Sequence, residues 1–280
     1  MNINRTYKDR LFRFLFNDRK HLLDLYNAVN GSNYTKEEDL EINTLEDIIY
    51  MKMKNDLSFI INSTLNIYEH QGSYNPNMPL RGLFYLSDLL RKITQDENIY
   101  GSKIVKIPTP CYIVFYNGKK ESDDREILKL SDAFGVKSAF ACVEFRSIML
   151  NINLGHNKQL MEKCNLLKAY AQYVHKVRTY SQTMEAGIAI EQAINDCINE
   201  NNAISSILKN HRAEVINMTL TEYDEAKVME KLREEALEEG MEKGMERIIK
   251  TMNNNHVSIE HISKMTSLTI EKVREFLTKD

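Results

Sequence analysis

One segment of this chain, DLSFIINSTLNIYEHQ at residues 56–71, limits the fold more than any other. Apolar and polar residues alternate on both sides of Asn62-Ser63, and this pattern is typical of two strands joined by a tight turn. A turn through Asn62 and Ser63 places Ile61 opposite Thr64. We therefore predict a β-hairpin, and hence a sheet, in this part of the chain.

Further strand and helix patterns surround the predicted hairpin. Apolar residues at helical spacing predict two helices within residues 6–30, which break near Asn17-Asp18 and end at Asn30-Gly31. Strands are predicted at 48–54, 111–118 and 139–152, and helical segments at 82–93 and 158–215. Strands mixed with helices of this length indicate an α/β fold.

The C-terminal part of the chain changes character. We expect a core at 1–180, a helical region packed on it at 181–220, a charged helix or coiled coil at 221–252 and a small helical tail at 253–280. Ser258 and Thr269 are candidate helix caps in the tail. The tail has the size of a DNA-binding helix-turn-helix, but also of any helical hairpin, and both interpretations stay open.

Two glycines in the charged helix suggest a contact with a second chain. Gly240 and Gly244 lie on one helical face, which permits close approach of another helix. This pattern predicts a homo-oligomer formed through the helix at 221–252. A flexible spacer is the alternative interpretation in so charged a segment.

Composition excludes several classes of protein. No apolar run approaches the ~18 residues of a membrane helix, and charge interrupts the N-terminal segment where a signal peptide would be apolar. The four cysteines form no CxxC pair, and the seven histidines form no HExxH motif, which argues against a zinc hydrolase. We expect a soluble, cytoplasmic protein without a membrane partner, whose metal ligands, where present, are oxygen atoms.

The formal net charge of -3 is unevenly distributed. Residues 222–250 contain ten acidic and six basic side chains, which leaves the remainder of the chain at about +1. A nearly neutral core can bind DNA through a local basic cleft, although it forgoes long-range attraction. The charge therefore neither supports nor excludes DNA as a partner.

Three oxygen-bearing side chains converge on the predicted hairpin. Counting outward from the turn places Asp56 opposite Glu69, and directly opposed carboxylates repel each other unless a cation compensates them. Glu69 and Gln71 are two residues apart on one strand and share a face. Tyr68 and His70 then face the other side, so we interpret His70 as a structural residue.

Hard carboxylate and amide oxygens suit Mg²⁺ or Mn²⁺. Mg²⁺ typically uses one or two carboxylates together with water and substrate phosphate oxygens, which fits phosphodiester hydrolysis. From spacing alone a second interpretation is equally open. In it Asp56 merely starts a strand, Glu69 is exposed at the surface, and Gln71 enters a turn.

A family resemblance adds to this pattern. The run NDLSFIINSTLNIYEHQGSYNPNMPLR at 55–81 resembles the nuclease signature of the recombination-promoting nuclease (Rpn) family of transposase-like proteins, within the PD-(D/E)XK phosphodiesterase superfamily. KDRLFRFLF at 8–16, FYNG at 115–118 and LSDAF at 130–134 resemble further segments, and the similarity extends over roughly residues 5–245. The resemblance implies a restriction-endonuclease-like α/β/α core with a mixed sheet.

The resemblance also assigns roles to individual residues. Asp56 and Glu69 match the acids that hold the metal, and Asp9 matches a helix-borne acid that often supports it. Gln71 stands where many superfamily members have a lysine, whose charge would stabilise negative charge developing on the phosphate. The candidates to supply this charge instead are Arg13, Lys52, Lys54 or Arg81.

Together these features predict an Mg²⁺- or Mn²⁺-dependent DNA endonuclease that hydrolyses phosphodiester bonds without a covalent enzyme intermediate. Gln71 would position water or phosphate. A role in DNA recombination or transposition is implied by the resemblance alone. The rival hypothesis is a catalytically weak or inactive DNA-binding or assembly protein that kept the fold after losing the lysine.

Overall fold

Six strands form one mixed sheet in the part of the chain that this computed structural model describes, residues 10–36, 40–42, 57–138 and 140–278. The strands are β1 (Glu41–Ile42), β2 (Leu57–Ile61), β3 (Thr64–Gln71), β4 (Thr109–Tyr116), β5 (Arg125–Lys129) and β6 (Arg146–Asn151). The helices are α1 (Arg10–Phe16), α2 (Arg19–Asn30), α3 (Met78–Ile93), α4 (Lys158–Lys163), α5 (Asn165–Tyr180), α6 (Ala186–Asn199), α7 (Ser205–Asn210), α8 (Arg212–Asn254), α9 (Ile259–Thr266) and α10 (Ile270–Thr278). Contacts divide the chain into two units, Met1–Tyr223 and Asp224–Asp280.

The predicted hairpin is formed by β2 and β3. Ile61 lies opposite Thr64, and the two residues between the strands, Asn62 and Ser63, have φ angles of 47° and 59°. Two-residue hairpin turns of type I′ need positive φ at both central residues. Asparagine adopts that conformation more readily than most residues. The predicted turn and its register are therefore confirmed over the described residues.

The sheet continues with parallel strands. β4 pairs parallel to β3, β6 parallel to β4, and β5 antiparallel to β6, which gives the order β1-β2-β3-β4-β6-β5. α3 makes the long crossover that parallel neighbours such as β3 and β4 require. Gln71, Tyr116 and Asn151 pair in one row as the last residues of β3, β4 and β6. We call this end of the sheet the carboxyl edge.

Helices cover both faces of the sheet. One core lies between the sheet and α1, α2 and the helices from α4 to α7, and it includes Phe59, Tyr68 and Phe115. The other lies between the sheet and α3, and it includes Ile67 and Val114. The α/β fold with a mixed sheet is therefore confirmed.

The paired helices at the N-terminus also follow the sequence pattern. Asp18 caps α2 by accepting a hydrogen bond from the backbone N–H of His21, and Gly31 ends α2 with a φ of 66°. The break near Asn17-Asp18 and the end at Asn30-Gly31 are thus confirmed. The region predicted to be helical at 158–215 contains α4, α5, α6 and α7 and the start of α8.

Two element boundaries differ markedly from the sequence patterns. α3 begins at Met78, before the predicted start at residue 82, because Pro79 fits the first turn of a helix, where its missing N–H breaks no hydrogen bond. The strand predicted over 139–152 begins only at Arg146, where it pairs with Lys129. β5, the strand that pairs with β6, ends at Lys129, and the chain then forms a 3-10 helix. Residues 140–145 therefore have no strand to pair with.

Two short strands were missed. β1 has two residues, and β5 has the sequence REILK with Leu128 as its one buried residue. Such segments lack a run of alternating apolar residues, which is the signal that reveals a longer strand. Their position follows from pairing with β2 and β6, and a single sequence does not show that pairing.

The second unit has a small core of its own. Its buried apolar side chains are Ile249 on α8, Ile262 on α9, and Val273 and Phe276 on α10. Ser258 accepts a hydrogen bond from the backbone N–H of His261, and Thr269 Oγ1 accepts one from the backbone N–H of Lys272 at 3.3 Å. Both predicted caps are confirmed, whereas contact of this tail with DNA stays a prediction.

The charged segment predicted at 221–252 lies within α8. Gly240 and Gly244 are exposed there, and a Cβ atom at either would meet open space. Homo-oligomer formation through this helix stays a prediction. Within the described ranges, no helix is both long enough and apolar enough to cross a membrane.

Close packing of α3 on the sheet depends on Gly82. A Cβ atom at this position would lie 2.5 Å from the ring of Tyr112 and 2.6 Å from the ring of Phe145. Any larger residue would push the helix outward. Glycine therefore sets the distance between the sheet and the turn of α3 that contains Arg81.

We expect Gly82→Ala to lower the free energy of unfolding by about 1–3 kcal/mol, because the added methyl group overpacks the core. Urea denaturation followed by circular dichroism measures the change. Gly187→Ala on α6 is the matched control, because a Cβ atom there meets open space and alanine favours helix. A Gly82→Ala variant as stable as the control would contradict this packing.

Candidate functional site

Glu69 and Gln71 lie side by side near the carboxyl edge, on the face of β3 that α3 covers. Gln71 Nε2 donates a hydrogen bond to Glu69 Oε1 at 3.2 Å. His70 faces the other way, where its ring stacks on Phe12 with 5.0 Å between centroids and its Nε2 lies 3.0 Å from the Tyr170 hydroxyl oxygen. The predicted separation of the two faces is confirmed.

The carboxylate of Glu69 is buried, with only 2% of the residue exposed. Arg81 on α3 forms an ion pair with it, in which Nη2 donates to Glu69 Oε1. The same Nη2 donates to the Tyr85 hydroxyl at 2.9 Å, and that hydroxyl lies 3.5 Å from Glu69 Oε1. The interpretation of Glu69 as an exposed surface residue is therefore wrong, because α3 covers this part of β3.

The charge of Arg81 reflects two opposing effects. Burial of the guanidinium lowers its pKa, and the adjacent Glu69 carboxylate raises it, with a net result above the ordinary value. Arg81 is thus a permanent cation that compensates a carboxylate removed from water. Its side chain keeps 29% exposure, so a ligand in solution can reach it.

Polar contacts also hold the segment between β3 and α3. The Tyr74 hydroxyl donates to Glu126 Oε1 at 2.8 Å, and the Lys120 ammonium lies 3.8 Å from the centroid of the Tyr74 ring. Burial, together with the hydrogen bond to Glu126, raises the pKa of Tyr74 to about 12. Tyr74 therefore stays protonated at neutral pH and anchors the chain that leads into α3.

Most of the other predicted site residues lie outside the residues that the structure describes. Those that lie outside the described residues are Asp9, Lys52, Lys54 and Asp56. Arg13 lies on α1 and is partly buried. Among the residues that the structure describes, no three histidine, cysteine, aspartate or glutamate side chains are placed to hold a metal ion. Of the two predicted metal ligands, the structure describes Glu69.

A second polar cluster lies at the carboxyl edge, beyond the ends of β4 and β6. Arg178 on α5 donates through Nη2 to the backbone oxygen of Asn117 and through Nη1 to Asn153 Oδ1 at 3.1 Å. Asn153 Nδ2 donates to Asn151 Oδ1 at 2.9 Å and to the backbone oxygen of Gly118 at 3.1 Å. One arginine thus ties together the two chain segments that leave these strands.

Asn117 connects the two clusters. Its backbone N–H donates to the backbone oxygen of Gln71 at 2.9 Å. Its side chain is buried, with 2% of the residue exposed, and neither Oδ1 nor Nδ2 has a hydrogen-bond partner within the described ranges. A buried amide without partners costs about 1–3 kcal/mol, so such a group needs an explanation.

An aspartate–histidine pair borders the second cluster. His156 Nδ1 lies 2.7 Å from Asp124 Oδ1. Asn157 Nδ2 donates to the backbone oxygens of Asp124 and Asn151. Both members of the aspartate–histidine pair are well exposed to solvent, and exposed ion pairs contribute about 0–1 kcal/mol. We therefore interpret this pair as a surface contact.

Tyr85 and Arg178 were not predicted as site residues. Tyr85 follows Arg81 by four residues on α3, so helical spacing alone could have placed both on one face. Arg178 gave no comparable signal, because 61 residues of chain separate it from Asn117. Only the fold brings these two residues together.

Comparisons of the chain with models of known protein families, with curated proteins and with solved structures find no match. The resemblance to the Rpn family therefore stays a prediction carried by the motifs.

Replacing Arg81 with methionine tests whether the guanidinium compensates the negative charge of the buried Glu69 carboxylate. We expect Arg81→Met to lower the free energy of unfolding by about 3–5 kcal/mol, measured in EDTA, because a buried carboxylate loses its cation. Adding Glu69→Gln to this variant should recover most of the loss, since the charge is then absent.

Lys92→Met is the matched control, because its side chain is exposed on the same helix. We expect this control to change stability by less than about 0.5 kcal/mol. Additive losses in the Glu69→Gln/Arg81→Met double variant would show that the two side chains do not compensate each other.

Proposed function

We propose that this protein is a metal-dependent DNA endonuclease that hydrolyses phosphodiester bonds. The observation that carries the proposal is the buried Glu69 carboxylate beside the Gln71 amide and the Arg81 guanidinium. α/β sheets typically bind ligands at the carboxyl ends of their strands, where this group lies.

The chemistry of the donors fits Mg²⁺ or Mn²⁺, because carboxylate and amide oxygens are hard ligands. Glu69 would hold the ion together with Asp56, the acid that the hairpin pattern predicts opposite it. Asp9 would act as an outer acid. The bound ion would supply a hydroxide nucleophile and neutralise charge on the phosphate and the leaving oxygen.

Arg81 would supply the positive charge that lysine provides in many members of the superfamily. A guanidinium has five N–H donors, so Arg81 can bind Glu69 and a phosphate oxygen together. Gln71 would orient water or a phosphate oxygen from the same face of β3. Arg13 and Lys54 would contribute further contacts to the DNA backbone.

Two other features support the proposal. A mixed sheet with helices on both faces is compatible with a restriction-endonuclease-like core. The run at 55–81 resembles the Rpn family, and from this resemblance come the proposed link to recombination or transposition and DNA as the partner. A cytoplasmic location belongs to the same proposal.

A catalytically weak or inactive DNA-binding or assembly protein is the alternative function. The Glu69–Arg81 ion pair is the observation that favours it, because the guanidinium already compensates the carboxylate that would otherwise attract a cation. A chain without metal chemistry would keep this pair as part of its core. Retained DNA binding without metal binding would select this alternative.

Nicking of supercoiled plasmid by the full chain in Mg²⁺, Mn²⁺ or EDTA tests the endonuclease. We expect nicking to require the metal and to vanish in Asp56→Asn and Glu69→Gln, because each removes a proposed ligand charge. Arg81→Ala should reduce the rate about 100-fold or more, because it removes a donor to the developing charge. Arg81→Lys should retain part of the activity.

Glu97→Gln is the matched control, because Glu97 is an exposed acid outside the site. This variant should nick at the wild-type rate, and circular dichroism should show every variant to be folded. Nicking that persists in EDTA, or in both acid variants, would identify a contaminating nuclease. Absence of nicking together with DNA binding would favour the alternative function.

A further inference from the structure

The Arg178 cluster has a positive charge that the proposed metal site does not use. In the described part of the chain, Arg178 donates to two oxygen atoms, the backbone oxygen of Asn117 and Oδ1 of Asn153. Both oxygens are uncharged. Burial lowers the pKa of its guanidinium. Arg81 is also buried, but Glu69 raises the pKa of its guanidinium above the ordinary value. Of the two arginines, Arg178 is therefore the one without a carboxylate among its hydrogen-bond partners in the described part of the chain.

The side chain of Asn117 gives a second, independent observation. It is 98% buried, and its Nδ2 and Oδ1 atoms lack partners within the described ranges. Buried polar groups in native proteins bind something in most cases, and water or an ion fills the role where the chain does not. Asn117 also contacts Arg178 directly through its backbone oxygen.

The position of this cluster links it to the proposed endonuclease site. Asn117 follows β4 at the carboxyl edge, and its backbone N–H donates to Gln71, the residue whose side chain contacts Glu69. Arg178 is partly exposed, so solvent reaches it. Two arginines on different helices thus contact neighbouring strand ends at this edge, Arg81 from α3 and Arg178 from α5.

We propose that Arg178 and the side-chain amide of Asn117 form a phosphate-binding site beside the Glu69 site. Guanidinium N–H groups match phosphate oxygens in geometry and charge, and the Asn117 Nδ2 supplies a further donor. As a contact to the DNA backbone, this site rests on the proposed function. Free phosphate presents the same oxygen atoms, so the two sources are separated by experiment.

Binding is measured on the full chain in EDTA, so that the result does not depend on cleavage. ³¹P line broadening reports inorganic phosphate, and fluorescence anisotropy of a labelled DNA duplex reports the backbone. Arg178→Gln should abolish the broadening and weaken DNA binding about tenfold. Because one phosphate contact is lost, the slope of log K against log salt concentration should also fall by about 1. Arg91→Gln, at an exposed arginine of α3, should change neither.

Two positive outcomes distinguish the sources of phosphate. Loss of both signals in Arg178→Gln supports a site for the DNA backbone, whereas loss of phosphate broadening alone supports a site for a small phosphate. Unchanged phosphate and DNA binding in a folded Arg178→Gln variant would overturn the proposal. A chain that binds in this way but never cleaves would refute the endonuclease and leave the phosphate site standing.

Chemical modification of the wild-type chain avoids dependence on the folding of the variant. Phenylglyoxal labels accessible arginines, and mass spectrometry measures labelling at each position. Inorganic phosphate should protect Arg178 and leave Arg91 labelled as before, because Arg91 is exposed beside Asp88. Equal labelling of Arg178 with and without phosphate would contradict the proposed site.

Discussion

The carboxylate of Glu69 has almost no contact with solvent, and a charge removed from water requires a partner of opposite sign. Arg81 provides that partner, while Gln71 and Tyr85 surround the same oxygen atom. This arrangement needs α3 to lie close to the sheet, and Gly82 permits the approach because a Cβ atom there would overlap aromatic rings. The burial of this one acid therefore depends on the hairpin, on the crossover helix and on its glycine.

The parallel strands give this acid a neighbouring polar cluster. Because β3, β4 and β6 end in one row, the chain segments that follow them meet at the carboxyl edge. Arg178 joins the segments after β4 and β6, and Asn117 links them to Gln71. The two arginines differ in their partners, since Arg81 binds a carboxylate and Arg178 binds neutral oxygens. In our account the first supports the metal site and the second contacts phosphate.

Local patterns predict those parts of the fold that depend on neighbours in sequence. The turn at Asn62-Ser63 and the cap at Ser258 follow from backbone preferences, and the sharing of a face by Glu69 and Gln71 follows from strand geometry. The short strand β5 was missed because its pairing with β6, rather than its own pattern, defines it. Arg81 was a candidate from the sequence, but its ion pair depends on how α3 crosses the sheet. Arg178 gave no local signal, and the roles expected for Asp9 and Asp56 lie outside the described residues.

The central claim is that Glu69 is a ligand for a divalent cation, and electron paramagnetic resonance of Mn²⁺ tests it directly. Protein freed of metal with EDTA and then dialysed is titrated with Mn²⁺, and the six-line signal of the free ion is recorded. We predict that the wild-type chain and Glu97→Gln remove Mn²⁺ from solution, whereas Glu69→Gln does not. Failure of the wild-type chain to bind Mn²⁺, or equal uptake by a folded Glu69→Gln variant, would contradict the claim.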